Sequence, residues 1–347
     1  MPDDTPNTAG SSTSRSPPAR VAPAVSAIIP LYNKQASVRR AVESVLNQSV
    51  RDLELIVVDD GSRDDGPRIV EAIGDPRIHL VRQANAGPGA ARNRGLALAR
   101  GRFVAFLDAD DEWLAGFLEQ ALEALGRHPE AGAFAANHLR GEQALNLRDL
   151  WEARGIGEGL CSMPPDLSVE QLKSHLYYMH SSSVVCPIGV VRRYGGYYQR
   201  DRCTWGEDGY LWVQVLLNYP VYRTLEPLAW YHMEDSSLYM GRKDFHPPDA
   251  CVLDPQPLRQ QCPGPYRDLM ERYLCHTAIR AARRLAGAGQ YARARKLLKA
   301  YPPTTTLHRA HAKAWLAVQL APLRHALRSI GPLRRLKRRL DARRKGD

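Results

Sequence analysis

Between residues 25 and 107 the apolar positions fall into two recurring patterns. Short apolar runs at 25–30, 53–58, 78–81 and 103–107 alternate with longer stretches whose apolar residues recur at helical spacing. The short runs are rich in Val, Ile and Leu and bounded by polar turns, which predicts strands buried on both faces of a sheet. Val38, Ala41, Val42, Val45 and Leu46 share one helical face, predicting a helix from Ser37 to about Asn47. Further helices are predicted over 66–73 and 90–99, the second following the turn Asn85-Ala86-Gly87-Pro88-Gly89. This β-α-β-α-β-α-β order predicts an α/β class protein: an open, mostly parallel, Rossmann-like sheet flanked by helices. Ligands in such sheets bind beyond the carboxyl ends of the strands.

The later pattern is looser. His180-Ser181-Ser182-Ser183 runs into the apolar Val184-Val185, and a helix is predicted over 211–217. Residues 246–265 are Pro-rich and read as a linker. Residues 266–286 and 289–298 predict a helical hairpin turning at Gly287-Ala288-Gly289, and 311–320 a further amphipathic helix. Residues 323–345 form a basic segment with leucines at 323, 327, 333, 336 and 340, broken by Gly331-Pro332.

Composition narrows the picture. A length of 347 residues with 44% hydrophobic content suits a large globular body with appendages. No apolar run reaches the eighteen or so residues of a spanning helix. Residues 1–24 are Ser-, Thr- and Pro-rich and predict a disordered leader, not a secretory signal. The six scattered cysteines form no C-x-x-C pair and point to a reducing, cytoplasmic setting. The net charge of +11 is lopsided: residues 267–347 hold 21 Lys/Arg against 4 Asp/Glu, leaving −6 for residues 1–266. A body of that charge argues against a nucleic-acid-binding core, and assigns the basic character to the C-terminal region. A basic amphipathic tail is open to two readings, a solvated segment or a peripheral contact with an anionic membrane, at the inner face of the cell membrane.

The chemistry converges on one place. Phe103-Val104-Ala105-Phe106-Leu107 runs straight into Asp108-Ala109-Asp110-Asp111. Carboxylates so close repel and are costly to desolvate, which calls for a cation. Magnesium or manganese, which keep waters and bind phosphate oxygens, fits that need. Asp111 is also open to a helix-capping reading. The first two strands likewise end in polar groups, Tyr32-Asn33 and Asp59-Asp60.

Ser26-Ala27-Ile28-Ile29-Pro30-Leu31-Tyr32-Asn33, Ser44-Val45-Leu46-Asn47-Gln48, Val57-Val58-Asp59-Asp60-Gly61-Ser62, Ala90-Ala91-Arg92-Asn93-Arg94-Gly95 and Phe106-Leu107-Asp108-Ala109-Asp110-Asp111 stand in one order and spacing. Together they resemble the family 2 glycosyltransferases of the GT-A fold, over roughly residues 25–115. Trp205-Gly206-Glu207-Asp208 resembles the family's Glu-Asp signature. The resemblance implies a nucleotide-sugar-binding half over 25–130, an acceptor-binding half over 131–245, and a helical, basic C-terminal region over 266–347.

It also implies residue roles. Pro30 and Tyr32 would line the base and ribose pocket, and Asp60 would accept a hydrogen bond from a base such as uracil. Arg92, in the first turn of a helix, is open to a phosphate contact or a solvated helix face. Asp110 and Asp108 would hold the metal, Asp108 also facing ribose. His232, in Trp230-Tyr231-His232, would be a third metal ligand, a phosphate contact or a structural histidine. Glu207, Trp205 and His180 would line the acceptor cleft, and Asp208 would be the catalytic base. The implied activity is inverting, metal-dependent transfer of a sugar from a nucleotide-diphosphate donor, UDP-linked, to a saccharide or lipid-linked acceptor in polysaccharide, lipid-linked glycan or metabolite glycosylation. A sugar nucleotidyltransferase would want a Gly-rich basic loop after the first strand, where this chain has Pro30-Leu31-Tyr32-Asn33. A sugar-nucleotide-binding module without catalysis is the other rival, against which Asp108, Asp110 and Asp208 speak.

Overall fold

A computed structural model describes residues 22–236, 248–303 and 307–329, with the side chains of the last helix to residue 321. The leader to residue 21, the stretch 237–247 and the basic tail from 330 lie outside the described residues.

The first seven elements are β1 (Val25–Leu31), α1 (Val38–Leu46), β2 (Leu53–Asp59), α2 (Gly66–Glu71), β3 (Ile78–Arg82), α3 (Pro88–Leu98) and β4 (Phe103–Phe106). Next come β5 (Glu112–Trp113), α4 (Phe117–Arg127), β6 (Ala133–Arg140), β7 (Leu145–Asn146), α5 (Arg148–Ala153) and β8 (Gly159–Cys161). They are followed by α6 (Val169–Tyr178), β9 (Val184–Pro187), α7 (Ile188–Arg193), α8 (Glu207–Asn218) and β10 (Val221–Tyr231). The chain closes with α9 (Ala250–Leu253), α10 (Gln256–Gln261), α11 (Arg267–Gly287), α12 (Tyr291–Ala300) and α13 (His308–Ser329).

One sheet runs through the molecule in the order β3-β2-β1-β4-β9-β6-β10-β5. The strands β3, β2, β1 and β4 are mutually parallel, so their carboxyl ends share one edge. Between β4 and β6 the strand β9 is inserted antiparallel to both. Alternation along the buried strands feeds two cores. Ala27, Ile29 and Leu31 face the apolar stripe of α1 and the inner face of α4. Ile28, Ile56, Val58 and Phe106 face α3 and α8 on the opposite side. Helix α8 buries Leu211, Trp212, Val213, Val215, Leu216 and Leu217, almost all of its circumference, as a central helix must.

The Pro-rich stretch expected as a linker is instead packed structure. Ala250, Cys251, Val252, Leu258 and Cys262 are buried in the same core as the sheet. Pro255, Pro257 and Pro265 stand at the starts of short helical segments, where a missing N–H costs nothing. The expected C-terminal helical region is present, and its described helices pack on the body. One face of α11 (Leu269, Met270, Tyr273, Leu274) enters the sheet's core. Its other face (Cys275, Ile279, Ala282, Leu285) packs with α12 and α13 around Ala294, Leu298, Ala314 and Val318. All six cysteines are free thiols. Among the described residues no helix is long and apolar enough to cross a membrane.

Candidate active site

The carboxyl edge of β1, β2 and β4 opens into a cleft of about 780 Å³. Its floor is the strand-end motif: Pro30, Tyr32, Lys34, Asp60, Asp108 and Asp110 line it. Its far side comes from α3 and the start of α8, with Arg92, Trp205, Gly206, Glu207 and Asp208. Tyr32 is 45% exposed, so it is a cleft-lining ring and not a core aromatic. Helix α8 begins at Glu207, preceded by Gly206 in the left-handed region at φ 73°. A Cβ there would also lie 2.8 Å from the Asp249 carboxyl group, so both backbone angle and space demand glycine. Glu207 and Asp208 therefore occupy the first turn, where the helix dipole favours negative charge. Gly89 serves a close approach: a Cβ would meet the Tyr198 carbonyl oxygen at 2.3 Å.

Arg92 ties the two acidic motifs together. Its Nη2 donates to Asp108 Oδ1 at 2.5 Å and its Nη1 to Glu207 Oε1 at 3.2 Å. The guanidinium lies 4.8 Å from the centre of the Tyr197 ring, a cation–π contact. At 4% exposure Arg92 is not on a solvated helix face. Burial opposes its charge, but Asp108, Tyr197 and Glu207 outweigh that and raise its pKa. Burial pushes Asp108 up, yet Arg92, with His180 and Lys34, holds its carboxyl below the ordinary value. Burial and the neighbouring Asp208 push Glu207 up to about 7, against the pull of Arg92.

The strand-end acids part company. Asp110 is bound to Lys34 Nζ at 2.6 Å, and that ammonium also donates to the Asp235 carbonyl. Burial and the Asp108 charge raise the Asp110 pKa despite Lys34. Asp111 is fully buried and does not cap a helix, since α4 begins six residues later behind Gly116. Its carboxylate accepts from Ser182 Oγ at 2.5 Å and from the His232 amide at 3.3 Å. Burial, Asp108 and Asp110 push it well above the ordinary carboxylate value.

Asp108, Asp111 and His180 offer one ligand atom each within 4.8 Å of one another, a group that could hold a metal ion. Two carboxylates and an imidazole suit magnesium or manganese, and a cation would relieve the repulsion that raises Asp111. His232, expected as a ligand, is not in this group. Its Nδ1 lies 2.9 Å from Glu234 and its Nε2 3.7 Å from Glu112, and only its backbone amide reaches Asp111. The sequence reading put Asp110 at the metal and His180 at the acceptor; the structure gives Asp110 a lysine partner and brings His180 to Asp111. Asp60 is similarly engaged: it accepts from Gln83 Nε2 and the Ala86 amide on one oxygen and from the Gly87 amide on the other. It thereby shapes the turn ahead of α3, as well as lining the cleft.

Residues 26–180 match the family model described as "Glycosyl transferase family 2". The chain carries a family 2 glycosyl transferase domain. The succinoglycan biosynthesis protein ExoO of Rhizobium meliloti (strain 1021) is 47% identical over 90 residues, 26% of this chain and 26% of that protein. The GalNAc(5)-diNAcBac-PP-undecaprenol beta-1,3-glucosyltransferase of Campylobacter jejuni is 41% identical over 105 residues, 29% of this chain and 34% of that protein. The chain thus matches only about a quarter to a third of the length of these curated relatives. Among solved structures, S. aureus TarS 1-349 in complex with UDP-GlcNAc superposes with a TM-score of 0.60 at 16% identity, covering 87% of this chain and 92% of that one. The likeness extends the GT-A fold beyond residue 180 and into the C-terminal helices.

Sequence reasoning missed several cleft residues of the transferase domain. Lys34 stands directly after Tyr32-Asn33 at the β1 edge, where a lone cation beside three acids was a usable signal. Tyr197, beneath Arg92, had none. Lys173 of α6 and Arg280 and Arg284 of α11 also line the cleft. Tyr273, Thr277, Arg280 and Arg284 recur at helical spacing, so one polar stripe on that helix was readable.

Proposed function

We propose that this protein transfers a sugar from a nucleotide-diphosphate donor to an acceptor hydroxyl, with inversion at the anomeric carbon. The observation that carries the reading is the Arg92 bridge, which joins Asp108 at the strand ends to Glu207 beside Asp208 on one cleft. Donor and acceptor chemistry need that adjacency. The relatives' names, in succinoglycan biosynthesis and undecaprenol-linked glycosylation, support a polysaccharide or lipid-linked acceptor.

In this reading the base and ribose lie over Pro30 and Tyr32, in the pocket shaped by Asp60. Uridine is the first base to test. Asp108, Asp111 and His180 would hold the divalent ion, with Asp110 beside them on Lys34. When bound, the ion supplies positive charge against the leaving diphosphate. Asp208 accepts the proton of the acceptor hydroxyl as that oxygen bonds to the anomeric carbon. The bond from that carbon to the phosphate oxygen breaks, and the nucleoside diphosphate leaves as an anion. Arg92 keeps Asp108 ionised and Glu207 in place.

Calorimetric titration with a panel of nucleotide sugars, with and without manganese, tests this. One nucleotide sugar should bind, and chelation should abolish its binding. Metal-independent binding would remove the ion from the site, and absence of binding by every nucleotide sugar would overturn the donor reading.

A further inference from the structure

The wall of the cleft facing the strand ends is built by α6 and α11, and it is basic. Lys173, Arg280 and Arg284 line it, while Arg202, in the stretch ahead of α8, lines the cleft beside Gly87. Lys173 pairs with the exposed Glu170 at 3.0 Å, and the same carboxylate lies 3.3 Å from His276 Nε2. Among the described residues no salt bridge is formed by Arg202, Arg280 or Arg284. The acid beside Arg284 is Asp249, which caps α9 through the Cys251 amide. Arg284 sits 5.9 Å from the Trp205 ring, at the step of chain leading into Gly206-Glu207-Asp208. Its Nε is buried without a hydrogen-bond partner. Burial and the Arg280 charge lower the Arg284 pKa, so the two guanidinium groups crowd one another. Burial and Lys173, with Arg280 and Arg283 also contributing, lower His276 as well. Arg280 and Arg284, in one cleft with Asp208 and without a salt bridge among the described residues, present a site for an anion.

We propose that this wall binds a negatively charged phosphate group of the acceptor, carried by Arg280 and Arg284 with Lys173 and Arg202 at its margins. The inference rests on the transferase reading and specifies its acceptor. The wall lies on the Asp208 side of the cleft, while the acids at Asp108 and Asp110 face the donor. The phosphate group can belong to a phosphorylated saccharide or to a lipid-linked diphosphate. Both offer oxygens that a guanidinium fork binds in pairs.

The test titrates the full chain, saturated with UDP and manganese, with glucose, glucose 6-phosphate and farnesyl diphosphate. At least one anionic probe should bind about tenfold or more tightly than glucose. Preference for glucose 6-phosphate assigns a saccharide phosphate, and preference for farnesyl diphosphate a lipid-linked one. Arg280→Gln with Arg284→Gln should remove the preference and leave UDP affinity unchanged, while the paired Lys substitutions retain part of it. Arg280→Gln alone, at an exposed position, gives a graded loss without risk to folding. The proposal is overturned by anionic probes that bind no better than glucose, by an anion affinity indifferent to the Gln substitutions, or by a matching loss of UDP affinity, which would give the wall to the donor. Failure of UDP to bind counts against the donor reading alone, because the same probes titrated without UDP still report on the wall.

Discussion

Arg92→Met is the sharpest perturbation the site offers. Methionine keeps the aliphatic stem and removes the charge, leaving Asp108 and Glu207 without their shared cation. Removing one member of a buried ion pair generally costs about 3–5 kcal/mol. Two features soften that cost here. The Asp108 side chain is 27% exposed, so water can solvate part of it. Glu207, already pushed up to about 7, can take up a proton instead of staying charged. Against these stands the lost cation–π contact with Tyr197, at about 0.5–2 kcal/mol. The expected destabilisation is therefore about 3 kcal/mol at neutral pH. At an unfolding entropy of about 2.1 cal/mol/K per residue over roughly 300 residues, that corresponds to a fall of about 5 °C in melting temperature.

The pH dependence separates this account from simple misfit. Glu207 has a folded pKa raised from 4.5 to about 7, so the native state holds a proton the unfolded chain has released. Its contribution is favourable at low pH and is lost as pH rises through about 7. Without Arg92 the pKa rises further, and the penalty above neutrality grows. The gap between native and Arg92→Met proteins should thus be wider at about pH 8 than at about pH 6, read by urea midpoints at each. Arg92→Lys should recover part of the loss at both. A melting temperature unchanged within about 1 °C, or a gap independent of pH, would refute the idea that Arg92 neutralises these acids.

Further outcomes follow from the same geometry. Asp208→Asn should bind the donor sugar nucleotide as the native protein does and transfer it at least about a hundredfold more slowly; near-native turnover at saturating acceptor would move the base elsewhere. Gly206→Ala should cost about 1–2 kcal/mol in chemical denaturation, since alanine resists the left-handed angle and its Cβ meets Asp249, and should lower turnover by displacing Asp208. His175 is buried, and burial, with Arg223, lowers its pKa to about 4. The unfolded chain binds the proton first as pH falls, so stability drops between about 6.5 and about 4, and His175→Phe should flatten urea midpoints across that window by about 2–3 kcal/mol.

How far the sequence reaches follows the locality of each signal. The elements from β1 to β4 are legible because each carries its own period and its own turn, and their parallel pairing follows from the order alone. The strands β7 and β8 have two and three residues, too few for a period to show. The strand β9 joins the sheet between β4 and β6 through pairings that only the folded chain specifies. Prolines dominate 246–265 and hide Cys251, Val252 and Leu258, whose burial depends on α8 and α11 being alongside. At the site, the motifs announce which acids matter but not who neutralises them. Arg92 reaches Glu207 across 115 positions of sequence, and Lys34 reaches Asp110 across 76. The partner of a charge is a tertiary property, so Asp111 and His180 could be paired with confidence in neither direction from spacing.

The same reasoning explains why the basic C-terminal charge and the acidic body should be one device. Read as composition, +17 over residues 267–347 invites an independent electrostatic role. Yet α11 is pinned on both faces, by the sheet's core on one side and by α12 and α13 on the other. A helix so held presents Arg280 and Arg284 to the cleft. Its partner α6 is anchored too, by Val169, Leu172 and Tyr178 in the sheet's core. The backbone of the wall is therefore held on both of its helices, which limits the freedom lost on binding an anion. A flexible basic tail would attract many polyanions weakly. In the proposed reading, cations held on the cleft wall act only on a ligand that enters it, so their contribution would lie in the choice of acceptor.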